Sequence, residues 1–377
     1  MGAALRPWAR WHNSFNPDGL GAGRDASARF YGIVFYGFVM DDDIVDSGQF
    51  RRGALFLVSI GIPVIVGLLR RQPDAALLGA VAGMLLAFAD NDGELPGRLR
   101  LLVFDAAMIA GGGIVGYLCR DSAPALWAVF IAMTLSVGMA ARNGREALLT
   151  SRHCAMAFTV TSALPGVPSY QIWYLAGVLI LTAAARVIDY MLAGPLPLQP
   201  SVPLQMPAGQ SGWLRFALAF CGAAVASMWI GRTLDPIHAI WVVTTTLVVM
   251  LPDERASYRR IFERVAGTFV GVLAAWVITM VFHSAAIICI FILVVAPLIP
   301  HHLAHRYWLH TALIALLVLF AYDLTLLNLH GIVNLLSERL EDILLGCAMG
   351  LVGTVAAFPR ETGAGLDALI GDSGKDR

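Results

Sequence analysis

Stretches of apolar residues recur from Gly53 to Phe358, separated by short polar breaks, and nothing else in the chain narrows its fold as much. One or two apolar helices can hide in a soluble core. A long series cannot, because each would need its own covering shell. Charged residues make up 14% of the chain and the mean hydropathy is +0.71, whereas a soluble domain is roughly one quarter charged. The apolar surplus must face lipid. The expectation is an all-α integral membrane protein of about twelve transmembrane helices.

Six runs lie near residues 53–69, 75–89, 101–119, 123–141, 153–167 and 170–192, and six more near 213–230, 237–251, 265–282, 284–299, 307–322 and 340–358. A spanning helix needs about twenty residues, so the shorter runs must borrow from their flanks. With a cytoplasmic N-terminus, ten arginines fall in inner loops: Arg98, Arg100, Arg142, Arg145, Arg152, Arg255, Arg259, Arg260, Arg264 and Arg306. Only five, Arg70, Arg71, Arg120, Arg232 and Arg339, fall in outer ones. Positive charge collects on the cytoplasmic side, so both termini are expected there.

The halves echo each other. In each, the third run follows an arginine-bearing break and carries a G-x-x-x-G, Gly112/Gly116 and Gly267/Gly271. Such glycines are expected to let helix backbones touch. Corresponding breaks sit roughly 155 to 165 residues apart, and an even number of helices per unit gives both units the same orientation, hence two parallel six-helix repeats. The expected boundaries are a cytoplasmic segment over 1–49, a first repeat over 50–193, a linker over 194–212, a second repeat over 213–359 and a cytoplasmic tail over 360–377. Met40 opens MDDDIVDSGQFRRG and is a candidate true start, and no apolar stretch in the first 29 residues resembles a cleavable signal peptide. Five prolines between residues 195 and 209 make the linker stiff and extended.

Several function classes drop out. A net charge of zero leaves no footprint for nucleic acid. The five cysteines are far apart, without a C-x-x-C pair, and read as free thiols. No phosphate loop, dinucleotide fingerprint or nucleophile motif is present, so neither a cofactor nor an enzyme is expected. His301 and His305 have the i, i+4 spacing of metal ligands within a cluster that includes His302 and His310. No acidic or cysteine ligand lies nearby in sequence, and a juxtamembrane or pH-sensitive cluster is the preferred reading over metal.

The segment WVVTTTLVVMLPDERASYRRIFERVAGTFVGVLAA, residues 241–275, resembles the signature of the fusaric acid resistance family, also called the aromatic acid exporter family. The matching positions are Trp241, Pro252, Arg264, Gly267, Thr268 and Gly271. The resemblance implies an efflux transporter for small organic, chiefly aromatic, carboxylates in a bacterial inner membrane. It also implies a periplasmic membrane-fusion protein and an outer-membrane channel as partners, and homo-oligomers are compatible with it. Larger family members carry cytoplasmic helical domains for which this chain has no room, so it resembles a compact branch. A passive organic-anion channel and a non-transporting scaffold of an efflux complex are the rival readings.

Charges inside apolar runs cost about 2.5 to 3.5 kcal/mol each on insertion and are default site candidates. Asp105 lies inside the third run without an obvious local partner and is the candidate proton carrier. Arg186 and Asp189 in the sixth run, and Arg339 and Asp342 opening the twelfth, share an R-x-x-D spacing that puts each pair on one helix face and lets it neutralise itself. Arg264 and Thr268 join the candidate substrate and ion pathway through the family signature. Arg255, Arg259 and Arg260 are explained by insertion topology, and the hydroxyls of Thr244, Thr245 and Thr246 by bonding to the preceding turn.

Overall fold

In lipid a backbone must satisfy its own N–H and C=O groups, and here the apolar runs all become helix. The computed structural model describes residues 47–359, apart from 165, 167, 198–206, 208, 283, 303–305 and 327–328. Met40, His305, most of the proline linker and the tail after Pro359 lie outside the described residues. Helix α1 (Ser47–Phe56) continues through a π-helical turn (Leu57–Gly61) into α2 (Ile62–Leu69). Then come α3 (Pro73–Phe88), α4 (Leu95–Cys119), α5 (Ala123–Ala140), α6 (Arg145–Ala163), α7 (Ser169–Ala193) and α8 (Gly209–Leu234). The remaining helices are α9 (Pro236–Val249), α10 (Glu254–Val281), α11 (Ala285–Val295), α12 (Tyr307–Leu326) and α13 (Leu329–Ala357). Among the described residues the only β feature is an isolated bridge between Gly93 and Leu196.

Local chemistry sets the ends. Asp235 and Asp253 cap α9 and α10, accepting from the amides of Ile237 at 2.7 Å and Ala256 at 3.0 Å. Proline opens α3 and α9, where a missing N–H costs nothing. Gly194, at φ +70°, ends α7 in the left-handed conformation that a side chain would resist.

Among the described residues, eight helices are long and apolar enough to cross a membrane, and α3, α9 and α11 are shorter apolar helices. The protein is a multi-pass membrane protein. Leu118, Trp173, Ile180, Phe262 and Val352 project outward from these rods, which in water would be a penalty and in lipid is the expected solvation. Helix α6 differs. It holds Glu146, Arg152 and His153, and it is shielded by α4, α5 and α9.

The longest helix contacts run along α4 with α6 and α10 with α12. Glycine makes both possible. A Cβ on Gly112 or Gly116 would collide with the carbonyl oxygens of Cys154 or Phe158, and one on Gly267 or Gly271 with those of Trp308 or Ala312. The two largest apolar cores lie across the boundary between the halves instead of inside them. One joins Phe56, Ile60 and Met84 to Ile292, Leu317 and Phe320. The other joins Phe130, Val137 and Phe158 to Phe216, Phe220 and Leu247. The π turn serves the first core, because it brings the Ser59 carbonyl against Gly83 and Gly61 against Leu293.

Helix ends gather on two faces. On the near face, where α1 begins, Arg51 donates to the carbonyls of Ala193, Gly194 and Pro195 after α7. On the far face, Gln171 at the start of α7 donates to Asp74 at the start of α3, at 2.8 Å.

Candidate functional site

Arg152 and His153 are neighbours in sequence, so on α6 they point about 100° apart and serve different partners. His153 turns toward α4, where its Nδ1 lies 2.9 and 3.0 Å from the two carboxylate oxygens of Asp105. Asp105 is fully buried and His153 nearly so. The expectation that Asp105 stands alone is thus corrected. Its partner is 48 residues away on an adjacent helix, a distance no local spacing rule can see.

Arg152 turns toward the second half. Its Nη2 donates to the Met250 carbonyl that follows α9, while its Nε has no partner among the described residues. Arg260 stacks 5.0 Å above the Tyr307 ring and donates weakly, at 3.4 Å, to the Val248 carbonyl. Arg264 is one turn further along α10, and its Nε and the Tyr307 hydroxyl also have no partner among the described residues. The adjacent carboxylate, Glu263, accepts from Arg259 at 2.8 Å. Arg152 and Arg260 therefore reach the same end of α9 from the two halves, with Arg264 one turn along α10, and Arg152 and Arg264 each have a buried donor to spare. Deeper in, Thr268 and Thr311 each bury a hydroxyl without a partner among the described residues. Arg264 and Thr268 share one face of α10, and Tyr307 and Thr311 one face of α12.

The two R-x-x-D pairs behave differently. Arg186 bonds to the carbonyls of Leu86 and Ala89 and pairs with Asp90 at 3.1 Å, whereas Asp189 accepts from Arg51 and Arg98. Arg98, fully buried, joins Asp90 to Asp189. Self-neutralisation is corrected here: the residues tie α1, α4, α7 and the end of α3 together on the near face. In α13 the pair does meet, Arg339 to Asp342 at 3.4 Å, and Asp342 also takes His238 at 2.5 Å. Arg186 sits late in its helix and Arg339 early in its own, so the shared spacing puts them at opposite ends of the bundle.

Thr246 bonds back to the Val242 carbonyl and also reaches Ser227 and the Gly346 carbonyl, so it is occupied by packing. Burial holds His301 below the ordinary imidazole value, and His310 bonds the Ile299 carbonyl. No group of three or more metal-binding side chains occurs among the described residues. Sequence reasoning passed over His153, Arg152, Tyr307, His238 and Tyr322. The one signal available was an Arg-His pair at the edge of an apolar run.

Residues 223–353 match the model of a family described as fusaric acid resistance protein-like. The match lies within the second half of the chain. The match takes in Arg260, Arg264, Tyr307, Arg339 and Asp342 and leaves out Asp105, Arg152 and His153. No curated protein and no solved structure matches the chain. Fusaric acid resistance-like proteins are membrane transporters, not enzymes, and the chain's coarse assignment is membrane transport or resistance.

Proposed function

We propose that the chain exports small aromatic carboxylates across a bacterial inner membrane, in exchange for protons, with both termini in the cytoplasm. One observation carries this reading: beside Arg260, Arg152 and Arg264 each keep a buried Nε without a partner among the described residues. Burying such cations in a chain poor in charge is expensive, and a visiting carboxylate, which accepts from guanidinium in pairs, offsets that cost. The near face is then the cytoplasmic one, from which substrate enters. Asp105 with His153 is the proton-carrying pair, one residue along α6 from Arg152, so proton and anion act on the same helical turn.

The two halves act as parallel repeats about an axis along the membrane normal. Supporting this, a shift of 155 residues takes Gly112 and Gly116 onto Gly267 and Gly271, each against the equivalent partner helix. Gly67 against Ala76 is answered by Gly231 against Ala239, and Gly138 against Ala217 by Leu293 against Gly61. Contacts across the boundary are reciprocal as well, α6 with α9 and α12 with α3. A periplasmic membrane-fusion protein and an outer-membrane channel complete the route.

Transport into proteoliposomes tests the reading, with isophthalate as probe because its dianion crosses lipid slowly. With an acidic lumen and the membrane potential clamped at zero, the protein should accumulate isophthalate above the outside concentration. Passive partition of a weak acid runs the other way. Equilibration without accumulation would instead support an anion channel, and no flux under any gradient a scaffold.

A further inference from the structure

The far end of α9 holds a second set of buried donors that the export reading does not use. Arg339, on the first half of α13, is 6% exposed. Its guanidinium lies 4.1 Å from the ring centre of Trp241 on α9 and 4.9 Å from that of Tyr322 on α12. Both rings attract the cation, and with their centres 6.0 Å apart and planes 60° apart they flank it on two adjoining sides. Its edge is poorly used. The bond from Nη1 to Asp342 is long, at 3.4 Å, for a charged pair that ordinarily closes to about 2.7 to 2.9 Å. The Nε of Arg339 and the indole N–H of Trp241 have no acceptor among the described residues. Asp342 leans instead on His238, at 2.5 Å. The other charge nearby is the exposed Glu338, on the same helix as Arg339.

We infer that Arg339, Trp241 and Tyr322 form a second binding station for the carboxylate of an aromatic acid, and that Asp342, at the other end of the guanidinium, weakens it. The inference rests on the export reading for its ligand class and extends it to the far side. A carboxylate in the guanidinium plane would accept from Nε and Nη2, the edge that Asp342 on Nη1 leaves open, and the indole N–H is a further donor. The ligand's ring then meets Trp241 and Tyr322, which is why an aromatic acid fits better than an aliphatic one. Asp342 keeps His238 and its long contact to Nη1 when the station fills, so binding leaves no buried charge unpaired. From Trp241 to Met250 α9 rises roughly 13 Å at 1.5 Å per residue. The two stations therefore stand at opposite ends of one short helix, with the Arg152 and Arg260 cluster at the other end.

Calorimetric titration of the purified full chain in detergent tests this, with isophthalate as probe and glutarate as the ringless control. Two isophthalate sites are expected, with glutarate weaker at the Arg339 station. Arg339→Gln should remove one site and leave the other, and Arg260→Gln should do the reverse. Asp342→Asn should tighten the Arg339 station roughly tenfold, because it removes a carboxylate that repels the incoming anion and shares the guanidinium charge. That gain cannot arise from misfolding. Trp241→Phe keeps the ring and removes the donor, and should weaken the same site severalfold. One site in the parent protein, or unchanged isotherms for Asp342→Asn and Trp241→Phe, would overturn the station even if Arg339→Gln fails to fold. Transport is scored separately: two sites without flux would sink the export reading and leave the station standing, whereas flux with one site would do the opposite.

Discussion

Replacing Asp105 by Asn removes the proton acceptor while keeping size, polarity and an oxygen for the His153 Nδ1–H. Removing one partner of a buried charge pair outright costs about 3 to 5 kcal/mol, because the other charge is stranded. Asparagine retains a neutral hydrogen bond at the same 2.9 Å approach, so the loss should be nearer 1 to 3 kcal/mol. The variant should therefore fold. The coupling loss is larger than the stability loss. One pH unit supplies about 1.4 kcal/mol per proton, which supports about tenfold accumulation of an anion exchanged for one proton. In proteoliposomes with a lumen one unit more acidic than the bath and the potential clamped, the parent should approach that ratio. Asp105→Asn should stay near an inside-to-outside ratio of one yet still swap labelled for unlabelled isophthalate across the membrane. Accumulation by the variant at the parent's level would refute the assignment of Asp105 and His153 as the proton carrier.

Other expectations follow from the packing and the charges. Reporter fusions after Arg145 and after Arg260 should both read cytoplasmic, and fusions after Asp121 and after Arg232 periplasmic; opposite signs in the two halves would end the parallel-repeat proposal. Gly267→Leu and Gly112→Leu should each cut the yield of monodisperse protein severely, since the helix-to-helix contact leaves no room for a side chain, and normal yield from either would show that the contact can open. His301 has its imidazole value lowered by burial, so the unfolded chain binds its proton more readily. Thermal stability in detergent should then fall as pH drops through the ordinary imidazole range near 6.5, and His301→Asn should flatten that part of the profile.

Much of the architecture could be read from the sequence because lipid leaves few alternatives. Every apolar run is a helix, and the glycine pairs 112/116 and 267/271 mark the tight crossings. Helix ends were less legible: the run near residue 153 begins a full two turns earlier, at Arg145, because α6 is buried among helices and can carry polar residues where a lipid-facing helix cannot. The π turn at Leu57–Gly61 leaves no trace in composition, since it answers to Gly83 on the next helix. Spacing misled at R-x-x-D. The same four-residue pattern serves an inter-helix ion network at Arg186 and Asp189 and an aromatic-clamped cation at Arg339, because partners on other helices, not the local interval, decide what a charge does. Asp105 and Arg152 illustrate the same point from the other side, each defined by a contact far along the chain.

The measurement closest to the central claim is the concentration dependence of isophthalate transport in Arg260→Gln and Arg152→Gln, compared with Arg260→Lys. If the near-face cluster holds the anion, each glutamine variant loses a charge-assisted hydrogen bond of about 1.5 to 3 kcal/mol. The apparent KM should then rise about 10- to 100-fold. The lysine variant should fall between, since it keeps the charge and loses the fork. Folded glutamine variants with the parent's KM would contradict the claim, and would leave these arginines as topology signals alone.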